Sequence, residues 1–478
     1  MRIFILLLCF WMLPVHSIEL PDMGSSADNV LSPIEEQKIA KALLRQLRRE
    51  ADIMDDVEVH NYINSLGQKL VSYSEMSNQP FSFNMINESS INAFAVPGGL
   101  ICLHSGLMLS ARSESEFASV FAHEIAHVTQ RHIARKLEAT SKTSIPMIAA
   151  MLAGVLVGSV TGNVDVAQAG LAVATAGNLQ MQINFTRLHE KEADRVGIDL
   201  LAKAGFEPRD MPNFFQRIQE ESRLYTKPPE FLLTHPMSID RAAEAMDRAE
   251  DHQPAHYRDS IAYHLARAKV LILTTTKPMR KLVEQLENML AQGRYNNETA
   301  VHYGLALALL ENRQPEKVQQ HIDWLLKNDT DRVMYRILQA RLALLQKDLA
   351  KTEKIYTQAL KIYPNDVQLT LAFSEYLLRH GNQPKLAQQL LAKLDDQPFP
   401  RYYRLLAQAY EESGQIAESH LSMSQHYYLL GETRLAVEQL KQARRREGTD
   451  YFLASRIEAR YKKLNKELRE MEKKDEDS

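Results

Sequence analysis

The chain of 478 residues is too long to fold around one ordinary hydrophobic core, so two or three domains are expected. Apolar residues make up 45% and charged residues 24%, which is typical of a globular protein. The formal net charge is -3, and no domain-wide basic face indicates a nucleic-acid partner. Only two cysteines occur, which argues against a zinc site built from several cysteines.

The first 17 residues have the pattern of a secretory signal peptide. Arg2 supplies a positive charge, residues 3–13 are almost wholly apolar, and Val15 and Ser17 stand at the -3 and -1 positions of a cleavage site. The apolar run of about 11 residues is too short to span a bilayer comfortably. We therefore expect export by a cleaved signal, with a retained N-terminal anchor as the alternative.

Two helices and a small sheet are predicted next. The Ser-Pro-Ile-Glu sequence at residues 32–35 is typical of a helix start, with a capping serine, a proline and a glutamate. A second amphipathic helix is predicted over residues 57–72. Residues 81–86 alternate as a strand does, and residues 93–103 form a second strand-like stretch interrupted by a Pro-Gly-Gly turn at 97–99.

The strongest chemical signal is an HExxH motif at residues 123–127. A capping pattern at residues 113–116 predicts one long helix that reaches about residue 136. Because His123 and His127 are four residues apart, they share a helix face and can hold one metal ion. Glu124 lies about 100° around the helix from His123. From there it can act as general base on a water whose pKa zinc has lowered.

A catalytic zinc needs a third protein ligand and an open position. The metzincin pattern is excluded, because Gln130 and Ile133 stand where that class needs a glycine and a third histidine. His132 is one residue away from the required position, and we interpret it as a surface histidine.

A helix predicted over residues 180–204 offers carboxylates instead. Glu190 and Asp194 are four residues apart and share a face, so Glu190 can ligate while Asp194 reaches a ligand histidine from behind. An ordinary solvated, charged helix face is the alternative reading of the same residues.

Residues 145–176, between these two helices, are apolar and rich in small residues. Each apolar piece is shorter than about 17 residues, below a comfortable membrane span. We predict a mobile helical hairpin that lies over the active site or against the membrane surface. A transmembrane pair remains the alternative.

The C-terminal part of the chain is predicted to be helical throughout and repetitive. Small residues at Gly304, Ala340, Ser374 and Ala407 are spaced by 36, 34 and 33 positions, close to the tetratricopeptide period. Small residues recur in such repeats because paired helices approach closely there. An unrelated helical bundle is the alternative.

The predicted fold class is α+β and mainly α, with a small sheet in the first domain and an all-α solenoid in the second. The expected boundaries are a signal peptide at 1–17, a metallopeptidase domain at 18–255, a tetratricopeptide-repeat domain at 256–470, and a charged, disordered tail at 471–478.

The motifs together resemble the gluzincin-type zinc peptidase family that includes heat-shock membrane proteases and CAAX-prenyl proteases. That family has HExxH followed by a helix with E-x-x-A-D. Residues 92–99 resemble its edge-strand motif, and Thr-His-Pro at 234–236 followed by Arg241 resembles its THP-x-x-x-x-R motif. With residues 20–24 and the repeats, the chain is similar to periplasmic members of the family.

The resemblance implies roles for single residues. Glu190 would be the third zinc ligand, whereas the competing Glu192 lacks the four-residue relation to Asp194. His235 would lie by the metal, where it stabilises the oxyanion or occupies the open position. Arg241 would support the oxyanion or buttress that loop.

The same resemblance implies a substrate site on the strand formed by Asn92, Ala93, Phe94, Ala95 and Val96. Such a strand accepts an extended peptide by β-addition, through backbone hydrogen bonds and with little sequence preference. An ordinary sheet edge is the alternative.

The resemblance also implies a periplasmic zinc endopeptidase and chaperone with one zinc ion per chain. Its expected partners are unfolded or misassembled outer-membrane β-barrel proteins and, through the repeats, the barrel-assembly machinery. A chaperone or adaptor with a mainly regulatory metal site is the alternative function, and an integral-membrane protease is a third.

Overall fold

The structure is a computed structural model that describes residues 31–139, 187–222, 229–255, 257–394, 396–446 and 450–476. The expected signal peptide and the segment 145–176 both lie outside these residues. Within the described ranges, no helix is both long enough and apolar enough to cross a membrane.

The first two helices begin where their capping residues predict. Helix α1 spans Pro33–Glu50, and the Ser32 side chain and the Glu35 side chain cap each other's backbone as expected. Helix α2 spans Val57–Val71 and is capped by Asp56, whose carboxylate accepts two backbone N–H groups.

Three short strands form the sheet. Strand β1 is Ser82–Ile86, β2 is Ala93–Val96 and β3 is Leu100–His104. The order is β1-β3-β2, with β1 parallel and β2 antiparallel to β3. The second predicted stretch is therefore a hairpin, turned by two glycines at positive φ. Strand β2 stands at one end of this order.

The HExxH helix is shorter than predicted. Helix α3 spans Ser105–Ser110, α4 spans Glu114–Thr129 and α5 spans His132–Ala139. The predicted single helix to residue 136 is wrong, because the chain breaks at Arg131, which has a φ of 51°. At this break the Arg131 guanidinium donates to the Leu31 carbonyl at 2.7 Å, a contact with a residue far away in the sequence.

The described residues between 187 and 255 contain four further helices: α6 (Arg187–Lys203), α7 (Asp210–Ser222), α8 (Glu230–Thr234) and α9 (Ile239–Glu250). Helix α6 packs closely along α4. At Gly197 an added Cβ would lie 3.2 Å from the backbone of Ala122 and of His123, so the glycine allows the two helices to approach. Large buried side chains around them contribute about 1.5–3 kcal/mol each.

Helices alone form the described part of the second half: α10 (Ile261–Thr274), α11 (Met279–Ala291), α12 (Glu298–Glu311), α13 (Pro315–Asn328), α14 (Val333–Leu345), α15 (Leu349–Ile362), α16 (Val367–Tyr376), α17 (Pro384–Leu391), α18 (Pro400–Glu412), α19 (Ile416–Leu429), α20 (Thr433–Arg444) and α21 (Tyr451–Glu476). The four periodic small residues, Gly304, Ala340, Ser374 and Ala407, are buried on α12, α14, α16 and α18. The predicted class, a small sheet with helices followed by a helical repeat array, is confirmed.

The repeat array contacts the first half at both ends. Helix α10 packs on α2 and α3, and α19 contacts α1. Arg45 of α1 forms an ion pair of 2.6 Å with Glu467 of α21. Helix α21 extends to Glu476, so most of the tail expected to be disordered is helical.

Candidate metal centre

Helix α4 is buried on all sides from Glu114 to His127, including both histidines of the motif and Glu124. Buried imidazoles and carboxylates are costly unless they are paired with other polar groups or bind a metal. The contacts made by these side chains therefore define what the site can hold.

Four side chains converge on one point: His123, His127, Glu190 and His235. Nε2 of His123 lies 3.0 Å from Nε2 of His127 and 3.2 Å from Nδ1 of His235. A Glu190 oxygen lies 3.1 Å from Nδ1 of His235 and 3.5 Å from Nε2 of His127. All four ligand atoms lie within 4.8 Å of one another.

This cluster has the dimensions of a tetrahedral cation site. Ligands about 2.0–2.1 Å from zinc stand about 3.3 Å from one another in a tetrahedron. The separations of 3.0–3.5 Å between the facing atoms agree with that value. In addition, one proton on His123 Nε2 cannot bond to both neighbouring ring nitrogens, whereas a cation satisfies them together. The donor set of three imidazoles and one carboxylate fits zinc.

The outer nitrogen of His123 faces a carboxylate. Nδ1 of His123 lies 3.0 Å from Oδ1 of Asp194, and Glu190 approaches Nε2 of the same ring at 3.5 Å. The two carboxylates of α6 therefore reach opposite sides of one imidazole, which agrees with their predicted four-residue relation.

Arg241 holds both carboxylates in place. Its Nε and Nη2 donate to the two oxygens of Asp194 at 2.5 and 2.8 Å, and Nη1 lies 2.8 Å from Glu190 Oε2. Nη1 also donates to the carbonyl of Pro236, which follows His235 in the chain. Arg241 is thus directed at the carboxylates and the His235 loop.

The charges around His123 favour a positive species at this point. Burial alone would lower the pKa of His123, but contacts with Asp194 and Glu190 raise it to about 9. Burial would likewise raise the pKa of Glu190, yet His235 and His123 lower it well below its usual value. The site therefore stabilises ionised carboxylate next to positive charge, as a cation would require.

Glu124 stands apart from the four convergent side chains. Both of its oxygens are buried without a normal hydrogen bond in the described part of the chain. The nearest ring atom is Nε2 of His235 at 3.4 Å, and the backbone of Ala95 on β2 also interacts with the carboxylate. Burial raises the pKa of Glu124, which makes it a stronger base than an exposed glutamate.

The interpretation of His132 as a surface histidine is wrong, because its side chain is fully buried. Its Nδ1 lies 2.8 Å from Nδ1 of His127, and its Nε2 lies 3.1 Å from Oε2 of Glu192. Glu192 is therefore outside the convergent cluster and also pairs with Arg135 at 2.9 Å. Helical periodicity does not predict this contact, because residues 127 and 132 would lie on different faces of an unbroken helix.

The predicted substrate strand lies next to Glu124. Strand β2 packs against α4, and its residues Ala93 to Val96 pair with β3. Asn92, which precedes the strand, is buried and donates to Glu230 of α8 at 3.1 Å. The Asn92 side chain thus links β2 to α8, the helix that His235 directly follows.

Two phenylalanines line the cluster on the side of α7 and α8. The ring centroids of Phe231 and His235 are 4.8 Å apart, and those of Phe215 and His123 are 5.5 Å apart. These contacts were not predicted from the sequence, although Phe231 stands one helical turn before His235. They limit the water around the cluster and strengthen its electrostatic interactions.

A helix-borne HExxH motif with a glutamate from a second helix defines a metalloendopeptidase. Comparison with known proteins agrees: residues 58–249 match the profile of Peptidase family M48. The beta-barrel assembly-enhancing protease of Escherichia coli (strain K12) is 34% identical over 459 residues, which cover 95% of this chain and 92% of that protein. The chain therefore belongs to peptidase family M48. Membership of this metalloprotease family implies a bound metal.

Two further relatives differ in coverage. A putative beta-barrel assembly-enhancing protease of Vibrio cholerae is 40% identical over 321 residues, which cover 66% of this chain and 65% of that protein, just under two thirds. The mitochondrial metalloendopeptidase OMA1 of Schizosaccharomyces pombe is 27% identical over 180 residues, 38% of this chain and 50% of that protein.

Proposed function

We propose that the chain is a zinc-dependent endopeptidase with one zinc ion per chain, held by His123, His127 and Glu190. The observation that carries this proposal is the convergence of four buried ligand atoms next to the buried carboxylate of Glu124, which makes no normal hydrogen bond among the described residues. Bound zinc would supply Lewis acidity and lower the pKa of water at the site.

Glu124 is the general base in this proposal. Its buried carboxylate, with a raised pKa, can take a proton from water and pass it to the leaving amine. Its position beside the backbone of Ala95 supports this role, because a peptide aligned along β2 would present its carbonyl groups next to Glu124. Residues 92–96 would bind that peptide by β-addition.

His235 occupies the fourth position of the resting site in our proposal. Its Nδ1 has the same spacing to His123 and Glu190 as the other ligand atoms. With substrate bound, the His235 ring could instead stabilise the oxyanion through a ring N–H. Asp194 orients His123, and Arg241 positions both Asp194 and the His235 loop.

We propose periplasmic substrates, namely misassembled outer-membrane β-barrel proteins that the enzyme degrades. Support comes from the relatives named beta-barrel assembly-enhancing protease, one of which aligns with 95% of this chain. In this proposal residues 1–17 are a cleaved export signal, residues 18–255 form the peptidase domain and residues 256–470 the repeat domain. Residues 145–176 would contact substrate or the membrane surface.

A chaperone activity is the second candidate, because helical repeats present extended surfaces for protein partners. The array would recruit the unfolded barrel protein or the barrel-assembly machinery and promote correct assembly. The two activities can coexist in one chain, since the peptidase site and the array are built from different residues.

Glu124→Gln separates the two. The purified wild type and variant should each bind one zinc ion, measured by elemental analysis. We expect the variant to degrade an unfolded β-barrel protein at least about 100-fold more slowly while it still promotes assembly of that protein. Equal degradation by both chains, or by a wild type stripped of zinc, would contradict the peptidase proposal.

A further inference from the structure

The outer nitrogen of His127 contacts a second buried histidine. His127 turns Nε2 toward the cluster, 3.0 Å from Nε2 of His123, and its Nδ1 lies 2.8 Å from Nδ1 of His132. His132 is 0% exposed, so water does not compete for this contact. The ring of His132 therefore determines what the outer side of His127 can bond to.

His132 is itself held on its other side. Its Nε2 lies 3.1 Å from Oε2 of Glu192, and Arg135 donates to that same oxygen at 2.9 Å. The ring of His189 stacks on that of His132, with 4.5 Å between centroids and 15° between planes. These contacts from α5 and α6 fix the orientation of the His132 ring.

The positions of the ring protons can be assigned one contact at a time, starting from Glu192 and ending at His127. An ionised Glu192 next to Arg135 only accepts, so Nε2 of His132 carries a proton. In a neutral imidazole the other nitrogen accepts, so Nδ1 of His132 takes a hydrogen bond from Nδ1–H of His127. Nε2 of His127 then keeps its lone pair, which points at the cluster.

We propose that His132 is a positioning residue of the metal centre, which together with Glu192 fixes the orientation and tautomer of the His127 ring. The proposal rests on the proposed function, in which His127 is a zinc ligand. It gives His127 an outer partner equivalent to the one that Asp194 gives His123. The two differ in charge, because His132 presents a neutral ring and Asp194 a carboxylate.

The helix break at Arg131 makes this contact possible. In an unbroken α-helix, residue 132 would lie about 140° around the axis from residue 127. The positive φ of Arg131 ends α4 and starts α5 in a new direction, which brings His132 behind His127. The Arg131 side chain is held by Glu36 at 3.0 Å and by the Leu31 carbonyl.

The test measures zinc affinity of the purified full chain by competition with a chromophoric chelator, and the visible spectrum of the cobalt-substituted chain. His132→Leu removes the acceptor, so we expect zinc binding to weaken about tenfold to 100-fold and the cobalt bands to shift. His132→Asn keeps an oxygen near the position of Nδ1 and should restore most of the affinity.

His321→Leu is the matched control. His321 also contacts a buried histidine, with Nδ1 2.9 Å from Nδ1 of His302, but in the repeat array. This variant should bind zinc as the wild type does. Should His132→Leu fail to fold, Glu192→Gln tests the same contact at a partly exposed position. We expect it to weaken zinc binding several-fold without abolishing it.

Several results would overturn the inference. An affinity of His132→Leu within twofold of the wild type, with an unchanged cobalt spectrum, would exclude a positioning role. Complete loss of zinc in Glu192→Gln but not in Glu190→Gln would make Glu192 a ligand instead. A wild type without stoichiometric zinc, or a His127→Ala variant that retains it, would defeat the proposed function itself.

Discussion

Arg241 donates two parallel hydrogen bonds of 2.5 and 2.8 Å to Asp194, and both side chains are buried. A bidentate pair of this kind fixes geometry as well as charge. Since Asp194 in turn contacts His123 at 3.0 Å, the orientation of the first motif histidine depends on a residue from α9. This dependence can be measured.

Arg241→Gln should weaken zinc binding about tenfold to 100-fold, because Asp194 and Glu190 lose their shared cation partner. It should also lower the free energy of unfolding by about 3–5 kcal/mol, since it leaves buried carboxylates without their partner. Arg241→Lys keeps the positive charge but loses the two parallel hydrogen bonds of the guanidinium. Its zinc affinity and its free energy of unfolding should lie between those of the wild type and of Arg241→Gln. Chelator competition and urea unfolding measure the two effects. An unchanged zinc affinity in Arg241→Gln would show that Arg241 does not act through the ligands.

Removal of His235 tests the fourth position of the site. Because Nδ1 of His235 lies 3.2 Å from Nε2 of His123, we expect His235→Ala to weaken zinc binding about tenfold. The same change opens the site to substrate and also removes an oxyanion donor. We expect the first effect to outweigh the second, so the initial rate of degradation of an unfolded protein at saturating zinc should rise. If the rate falls about 100-fold instead and zinc affinity is unchanged, His235 serves mainly the transition state.

The sequence could predict the parts of this site that depend on spacing along one helix. The four-residue separations of His123 and His127 and of Glu190 and Asp194 place each pair on one face, and the structure brings both faces together. His235 came only from a family resemblance, because its approach requires α8 to fold back over α4.

His132 could not be predicted, for a different physical reason. Its position depends on a positive φ at Arg131, and Leu31, about 100 residues earlier, contributes the carbonyl that holds the Arg131 side chain. No local pattern contains that information. The repeats were predictable because the close approach of paired helices demands a small residue once per unit, as at Gly304 and Ala340.

Zinc removal should destabilise the first half of the chain selectively. With free zinc at about 1,000 times its dissociation constant, binding adds about 4 kcal/mol to the free energy of unfolding, and chelation removes it. Trp324 lies in the repeat helix α13, so its fluorescence reports on that half. We expect chelator to shift the urea transition seen by circular dichroism more than the one seen by Trp324. Equal shifts would mean that the halves unfold as one unit.

Asp210 should contribute a pH dependence that is separate from the metal site. Burial raises its pKa from 3.8 to about 6, and nearby Glu116, Glu207 and Asp259 add to this effect. Because the folded chain binds this proton more tightly than the unfolded chain, the contribution of Asp210 to stability falls as pH rises from about 4 to 6. It stays low above that range.

Asp210→Asn should remove this pH dependence. The stability of the variant relative to the wild type should therefore be higher at pH 7 than at pH 4. The amide oxygen can still accept the hydrogen bond that Ser113 donates at 2.7 Å, so the cap of α4 remains. Urea unfolding of both chains at several pH values gives the difference curve. A difference between the two chains that does not change with pH would contradict the assigned pKa.

Glu58 of α2 joins the two halves of the chain. It is buried, and Oε2 accepts from the Tyr303 hydroxyl of α12 at 2.6 Å and from the Lys269 ammonium of α10 at 3.1 Å. Glu58→Ala removes the acceptor of the buried Tyr303 hydroxyl and leaves the Lys269 ammonium, 13% exposed, with the Asp56 carboxylate at 3.4 Å. We therefore expect a loss of about 3–5 kcal/mol, and of about 1–3 kcal/mol for Glu58→Gln, which keeps an acceptor.

The measurement is urea unfolding followed by circular dichroism and by Trp324 fluorescence. If Glu58 couples the halves, Glu58→Ala should also widen the difference between the two midpoints, because each half then stabilises the other less. Glu287→Gln is the matched control, since Glu287 pairs with Lys317 at 2.9 Å on the surface of the repeats. Such a pair contributes at most about 1 kcal/mol. A loss in Glu58→Ala no larger than in this control would mean that other contacts hold the array in place.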